Sequence, residues 1–253
     1  MNRRRITSVL LLMIIISLSI PLMSVNSKVI HTGKYEQLVI IHYAKGGIPG
    51  PPSDGGDEEP KENDVYALIG PKWNLPLGGL SYIIDLDGAP QGSETEISSS
   101  FEAWDEASGA ELFNDVYLID NAANPNLDDI DGIHVICWRK IVPRDIIAVT
   151  YLWWADTNKD GEPSVGEEFV DFDMIMNSLH KWGIDPNVED NVRIKAFDVR
   201  NIVTHEVGHV VGLADLYTDV YSELTMYGYG AKGETKKISL EVGDIAGCQV
   251  LYP

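Results

Sequence analysis

The sequence predicts a mixed α/β or α+β domain, a sheet with helices packed on it, and three observations predict it. Extended apolar segments recur at Leu80–Leu86, Leu112–Ile119, Ile133–Trp138, Ile146–Trp154 and Phe169–Met176. Two helical patterns follow them, one from Asp198 and one from Ser239, and a single earlier helix interrupts the strands. At 44% hydrophobic, the 253-residue chain has the apolar content to bury a core beneath such elements.

The first residues set Arg3, Arg4 and Arg5 before an unbroken apolar run, then Pro21 and small residues up to Ser27. That layout predicts a secretory leader over 1–27, and so a secreted protein; the alternative is an uncleaved N-terminal anchor. Residues 28–45 form a short segment with a strand at Leu38–Ile41. Residues 46–64 are Gly, Pro and acid with almost nothing apolar, and read as a linker. The folded domain is then expected over 65–253.

Within it, Ser93 and Glu96 have capping-box spacing, Ile97, Phe101, Trp104 and Ser108 share one helix face, and Gly109 ends the helix. Asn121–Gly132 is a polar loop. Phe169–Met176 alternates, which puts Asp171 and Asp173 toward water. Asp198 caps a helix through Val199, Ile202, Val203, Glu206, Val210 and Leu213, and Ser239 caps a last one over Leu240–Leu251.

The formal charge is −20; removing the leader takes away three of 19 basic residues, leaving 16 against 39 acidic ones, or −23. Such a surface repels nucleic acid and anionic lipid, so neither is an expected partner. Cys137 and Cys248 either form one bridge or pack as buried thiols.

The most informative stretch is H-E-V-G-H-V-V-G-L-A-D, His205 to Asp215. Residues four apart share a helix face, so His205 and His209 present two imidazoles to one point. A catalytic zinc takes three protein ligands and keeps one position open. Gly212 lets the helix stop and the chain turn back, bringing Asp215 to the metal as the third ligand. Glu206 is then placed to hydrogen-bond water on the metal and act as general base. A non-catalytic reading stands beside this one, because H-E-x-x-H alone also arises on amphipathic helices.

H-E-x-x-H-x-x-G-x-x-D followed by L-T-M-Y-G-Y resembles the metzincin zinc peptidases, the second segment looking like the matrixin form of their methionine turn. W-N-L-P-L-G-G-L-S-Y-I-I-D, F-E-A-W-D and I-A-V-T-Y-L-W-W also look like a matrixin catalytic domain, so the likeness runs from about Val65 to the C-terminus. The resemblance implies that His205, His209 and Asp215 bind zinc, Glu206 is the base and Met226 forms a floor under the metal. It implies a zincin-like fold: a twisted, mostly parallel five-stranded sheet with one antiparallel edge strand and three main helices, across which a peptide or protein substrate lies extended. Two departures stand out. Asp215 replaces the usual histidine, lowering the charge of the centre by one. No cysteine precedes the domain to silence it, so latency needs another device, such as an acid of the linker.

Asp156–Glu167 reads D-T-N-K-D-G-E-P-S-V-G-E and matches a calcium loop at each defined position, with Asp156, Asn158, Asp160, Glu162 and Glu167 as oxygen donors. Pro163 and strand-like flanks make it a calcium turn between strands rather than an EF-hand. His31, His42, His134 and His180 have no partner at ligand spacing and read as surface or core residues. Trp104, Trp138, Trp153, Trp154 and Trp182 read as core or cleft wall. The expectation is a monomeric, secreted zinc endopeptidase with no stable membrane association once the leader is removed. Its alternative is a non-catalytic, metal-stabilised extracellular binding domain.

Overall fold

A computed structural model describes residues 27–31, 35–46, 65–185 and 195–253; all of the expected leader but Ser27 and all of the expected linker but Gly46 lie outside these. In chain order the strands are β1 (Ser27–His31), β2 (Tyr35–Ala44), β3 (Ala67–Leu68), β4 (Lys72–Trp73), β5 (Ile83–Ile84), β6 (Leu118–Ile119) and β7 (Val135–Arg139). They continue with β8 (Ile146–Ala155), β9 (Glu168–Asn177), β10 (Trp182–Gly183), β11 (Phe197–Asp198), β12 (Leu213–Ala214) and β13 (Tyr229–Gly230). The helices are α1 (Ser93–Ser108), α2 (Val199–Val211) and α3 (Val242–Leu251).

The fold is mixed α/β, as the element pattern predicts. Among the described residues one sheet holds nine strands in the order β1-β2-β8-β9-β7-β5-β6, with β13 on β2 and β4 on β9. The β9–β7, β7–β5, β5–β6, β4–β9 and β13–β2 pairs are parallel, whereas β1–β2, β2–β8 and β8–β9 are antiparallel. The sheet is thus larger than the five strands expected, and the antiparallel β8 is not at its edge. The cause is β2: the strand expected over four residues runs for ten, pairs with β8 from Tyr35↔Ala155 to Tyr43↔Ile146, and stands ahead of the linker.

Flanked on both edges, β8 is buried almost throughout, which its near-continuous apolar sequence permits. The main core lies between the sheet and the helices. Phe101 of α1 stacks on Tyr82 with ring centroids 4.2 Å apart and meets Phe113 edge-on. Trp104 of α1 is fully buried and donates its Nε1–H to Thr204 O of α2 at 2.9 Å. Trp73 of β4 does the same to Val210 O at 2.7 Å. Two indoles from different elements thereby hold α2 by its carbonyls.

Several local expectations change in the folded chain. Gly92, not Ser93, precedes α1, and the Ser93 hydroxyl donates backward to Pro90 O instead of capping the helix. Glu241, two residues beyond Ser239, caps α3, in a reciprocal box with Asp244. Asp171 and Asp173 do not face water: the preceding loop folds over that face of β9. Asp171 Oδ2 accepts from the amides of Asp131 and Gly132, Asp173 Oδ1 accepts from that of Val135, and burial pushes Asp173 up to about 8. Cys137 and Cys248 are free and buried, so they pack as small apolar groups.

Candidate metal centre

The zinc-type motif lies on α2, which is buried nearly all round as its apolar run requires. Asp198 caps it as expected, accepting from Asn201 N at 2.9 Å. Gly212 ends it at φ 118°, where its amide donates to Gly208 O and His209 O and the chain reverses into β12. Only glycine enters that backbone region without strain.

The reversal brings three predicted residues together. His205 Nε2 and His209 Nε2 are 3.2 Å apart, and Asp215 Oδ1 lies 3.2 Å from the first and 3.6 Å from the second. Each imidazole is fixed from behind: His205 Nδ1 donates to Thr225 O at 2.7 Å, and His209 Nδ1 to Leu213 O at 2.8 Å. A carbonyl only accepts, so both protons sit on Nδ1 and both Nε2 atoms offer lone pairs. A second proton on either ring is disfavoured, since burial depresses His209 and holds His205 at about 3. Burial works against the charged form of Asp215, and the Tyr217 hydroxyl works for it. Tyr217 O–H donates to Asp215 Oδ2 at 2.7 Å, whereas the buried Oδ1 has no hydrogen-bond partner among the described residues.

Three acceptor atoms therefore face one another without a proton between them, an arrangement that a cation resolves. The spacing fits one: donors ~2.0–2.1 Å from a tetrahedral ion stand ~3.3 Å apart. Soft nitrogen donors with a single carboxylate suit zinc or a similar transition metal better than calcium or magnesium.

The surroundings hold this set in place. Met226 is buried against α2, where a Cβ at Gly208 would overlap its sulfur and the Trp104 ring. Asp244 of α3 accepts from the Thr225 and Met226 amides, fixing the turn that supplies the His205 acceptor. Glu206 is fully buried; its Oε2 accepts from Thr150 Oγ1 of β8 at 2.6 Å, and burial pushes it up to about 8.

Sequence reasoning missed three residues here. Tyr217 lies two positions past Asp215 in a segment with no periodic pattern. Lys237 is fully buried, with Nζ 3.4 Å from His205 Nδ1 and donating to Tyr227 O, although a lone lysine carries no signal of burial. His42, read as a surface or core histidine, is fully buried with Nδ1 3.0 Å from Glu206 Oε1 and its ring 4.0 Å from that of His205. Only the long-range β2–β8 pairing brings it there.

The acidic turn Asp156–Glu167 joins β8 to β9. Its carboxylates accept backbone amides: Asp156 from Lys159 and Gly161, Asp160 from Glu162, and Glu167 from Thr157 and Ser164. The convergent metal-type groups among the described residues are His205–His209–Asp215 and His42–His205–Glu206, neither of them in this turn.

No protein-family model matches the chain, and no curated protein matches it.

Proposed function

We propose that this chain is a secreted, metzincin-like zinc endopeptidase of the matrixin type. The observation that carries the proposal is the convergence of His205 Nε2, His209 Nε2 and Asp215 Oδ1 beside a buried Glu206. Zinc held there supplies Lewis acidity that polarises a peptide carbonyl. The protein supplies the proton transfer: Glu206 Oε1 takes a proton from the attacking water and hands it to the departing amine nitrogen. Thr150 fixes Oε2 meanwhile and leaves the transfer to Oε1. Met226, packed against α2, is the floor of the centre.

One observation favours the non-catalytic alternative, a metal-stabilised extracellular binding domain: His205, Glu206 and His209 have no solvent exposure. Incubating the full chain with unfolded casein, with and without a zinc chelator, separates the two. Cleavage that stops with chelator and returns with zinc is expected; an intact substrate under all conditions, from the zinc-loaded chain and from a zinc-loaded His42→Ala variant that frees Glu206 Oε1 alike, supports the binding domain.

Export rests on the leader pattern, and no described helix is long and apolar enough to cross a membrane. The Asp156–Glu167 turn is proposed to take calcium. A ligand present at a hundred times its dissociation constant stabilises by about 2.7 kcal/mol, so a calcium-selective chelator should lower the melting temperature. An unchanged melting curve would retire the calcium turn and leave the zinc centre untouched.

A further inference from the structure

The metal centre is covered by this chain's own strand. β2 runs antiparallel along β8 through nine paired positions, and its far edge meets β13 in parallel at Tyr43↔Tyr229 and Ala44↔Gly230. The Ala44 amide donates to Asp145 O and the Lys45 amide to Gly230 O, both at 2.8 Å, so the strand is fastened on both sides at its C-terminal end. Leu38 and Ile40 enter the main core, and His42, next on that face, reaches Glu206. Gly230 makes room for it: a Cβ there would come within 3.1 Å of His42 Nε2 and of the Ile202 side chain.

Two consequences collide with hydrolysis. Both Glu206 oxygens are already engaged, Oε2 by the Thr150 hydroxyl and Oε1 by His42 Nδ1 at 3.0 Å, and neither is in contact with solvent. The β8 edge, where an extended peptide would add a strand, is fully used. A site sealed in this way turns nothing over until an element leaves, and β2 is the element that lies across it.

We propose that β2 is an intramolecular stand-in for substrate. The slot between β8 and β13 takes an extended peptide antiparallel to β8, residues 35–44 are its resident occupant, and His42 holds the general base until the strand departs. This rests on the peptidase reading of the same site, which identifies Glu206 as the base.

The test uses the zinc-loaded full chain as wild type, as His42→Ala and as the double variant Leu38→Asp/Ile40→Asp, which places two charges on the docking face. A site that is open a tenth of the time works at about a tenth of its full rate, so release should raise casein cleavage about tenfold or more. In the double variant, amide exchange along Ile146–Ala155 should accelerate by at least about tenfold while α2 stays protected and zinc content is unchanged. His42→Ala, which keeps the apolar pairing, should raise cleavage by a smaller factor. Unchanged β8 exchange and cleavage in both variants would overturn the proposal. So would loss of α2 protection together with β8, because β2 would then be an integral strand of the fold. Accelerated β8 exchange with no cleavage by any zinc-loaded variant would uphold a displaceable strand and remove the peptidase reading instead.

Discussion

Glu206→Gln leaves zinc bound and lowers peptide cleavage by about 10²–10⁴-fold, the range a positioned acid–base group contributes. The amide keeps the shape of the side chain and can still accept from Thr150 Oγ1, so the surrounding packing has no reason to change. It cannot take up a proton. The three atoms proposed to hold zinc, on His205, His209 and Asp215, belong to other residues, so zinc stoichiometry should match the wild type. The measurement pairs metal content with casein cleavage on the same sample, in whichever form of the chain cleaves fastest. Cleavage near the wild-type rate would move the base elsewhere; loss of zinc would make Glu206 a ligand or a structural support.

Trp104→Ala has the second large effect, this one on stability. The indole is fully buried between α1 and α2, its ring closes on the Gly208 position, and its N–H is spent on Thr204 O. Removal of a core tryptophan costs about 3–5 kcal/mol, a large part of the ~5–15 kcal/mol that holds a domain together. Met226 borders the same position at Gly208, so zinc affinity should fall along with the melting temperature. A chemical denaturation midpoint close to wild type would show that α1 and α2 are held chiefly by other contacts.

The parts of the site that could be read in advance are those written into a short stretch of chain. His205 and His209 are one helical turn apart, Gly212 can only help end a helix, and Asp215 follows at the distance a reversal needs. Local geometry is sufficient for all four. The strands β7, β8 and β9 were readable for a similar reason, since β7 and β8 are apolar runs and β9 alternates, patterns that fit an extended backbone. What was missed depends on contacts distant in sequence. His42 is 164 positions from Glu206, and nothing around it signals a partner. Asp171 and Asp173 alternate correctly for a wet face, but a loop supplies amides to them, and alternation alone cannot tell water from a covering loop. Ser93 and Glu96 have capping spacing, yet Gly92 takes a left-handed backbone one residue earlier and leaves the hydroxyl to Pro90.

The central claim is that three electron-pair donors share one metal ion. Zinc content of the exhaustively dialysed full chain, measured by plasma mass spectrometry for wild type, His209→Ala and Asp215→Ala, tests it most directly. One zinc ion per wild-type chain, lost from both variants under the same dialysis, is the predicted result; a metal-free wild type, or variants that keep zinc at full stoichiometry, would contradict it.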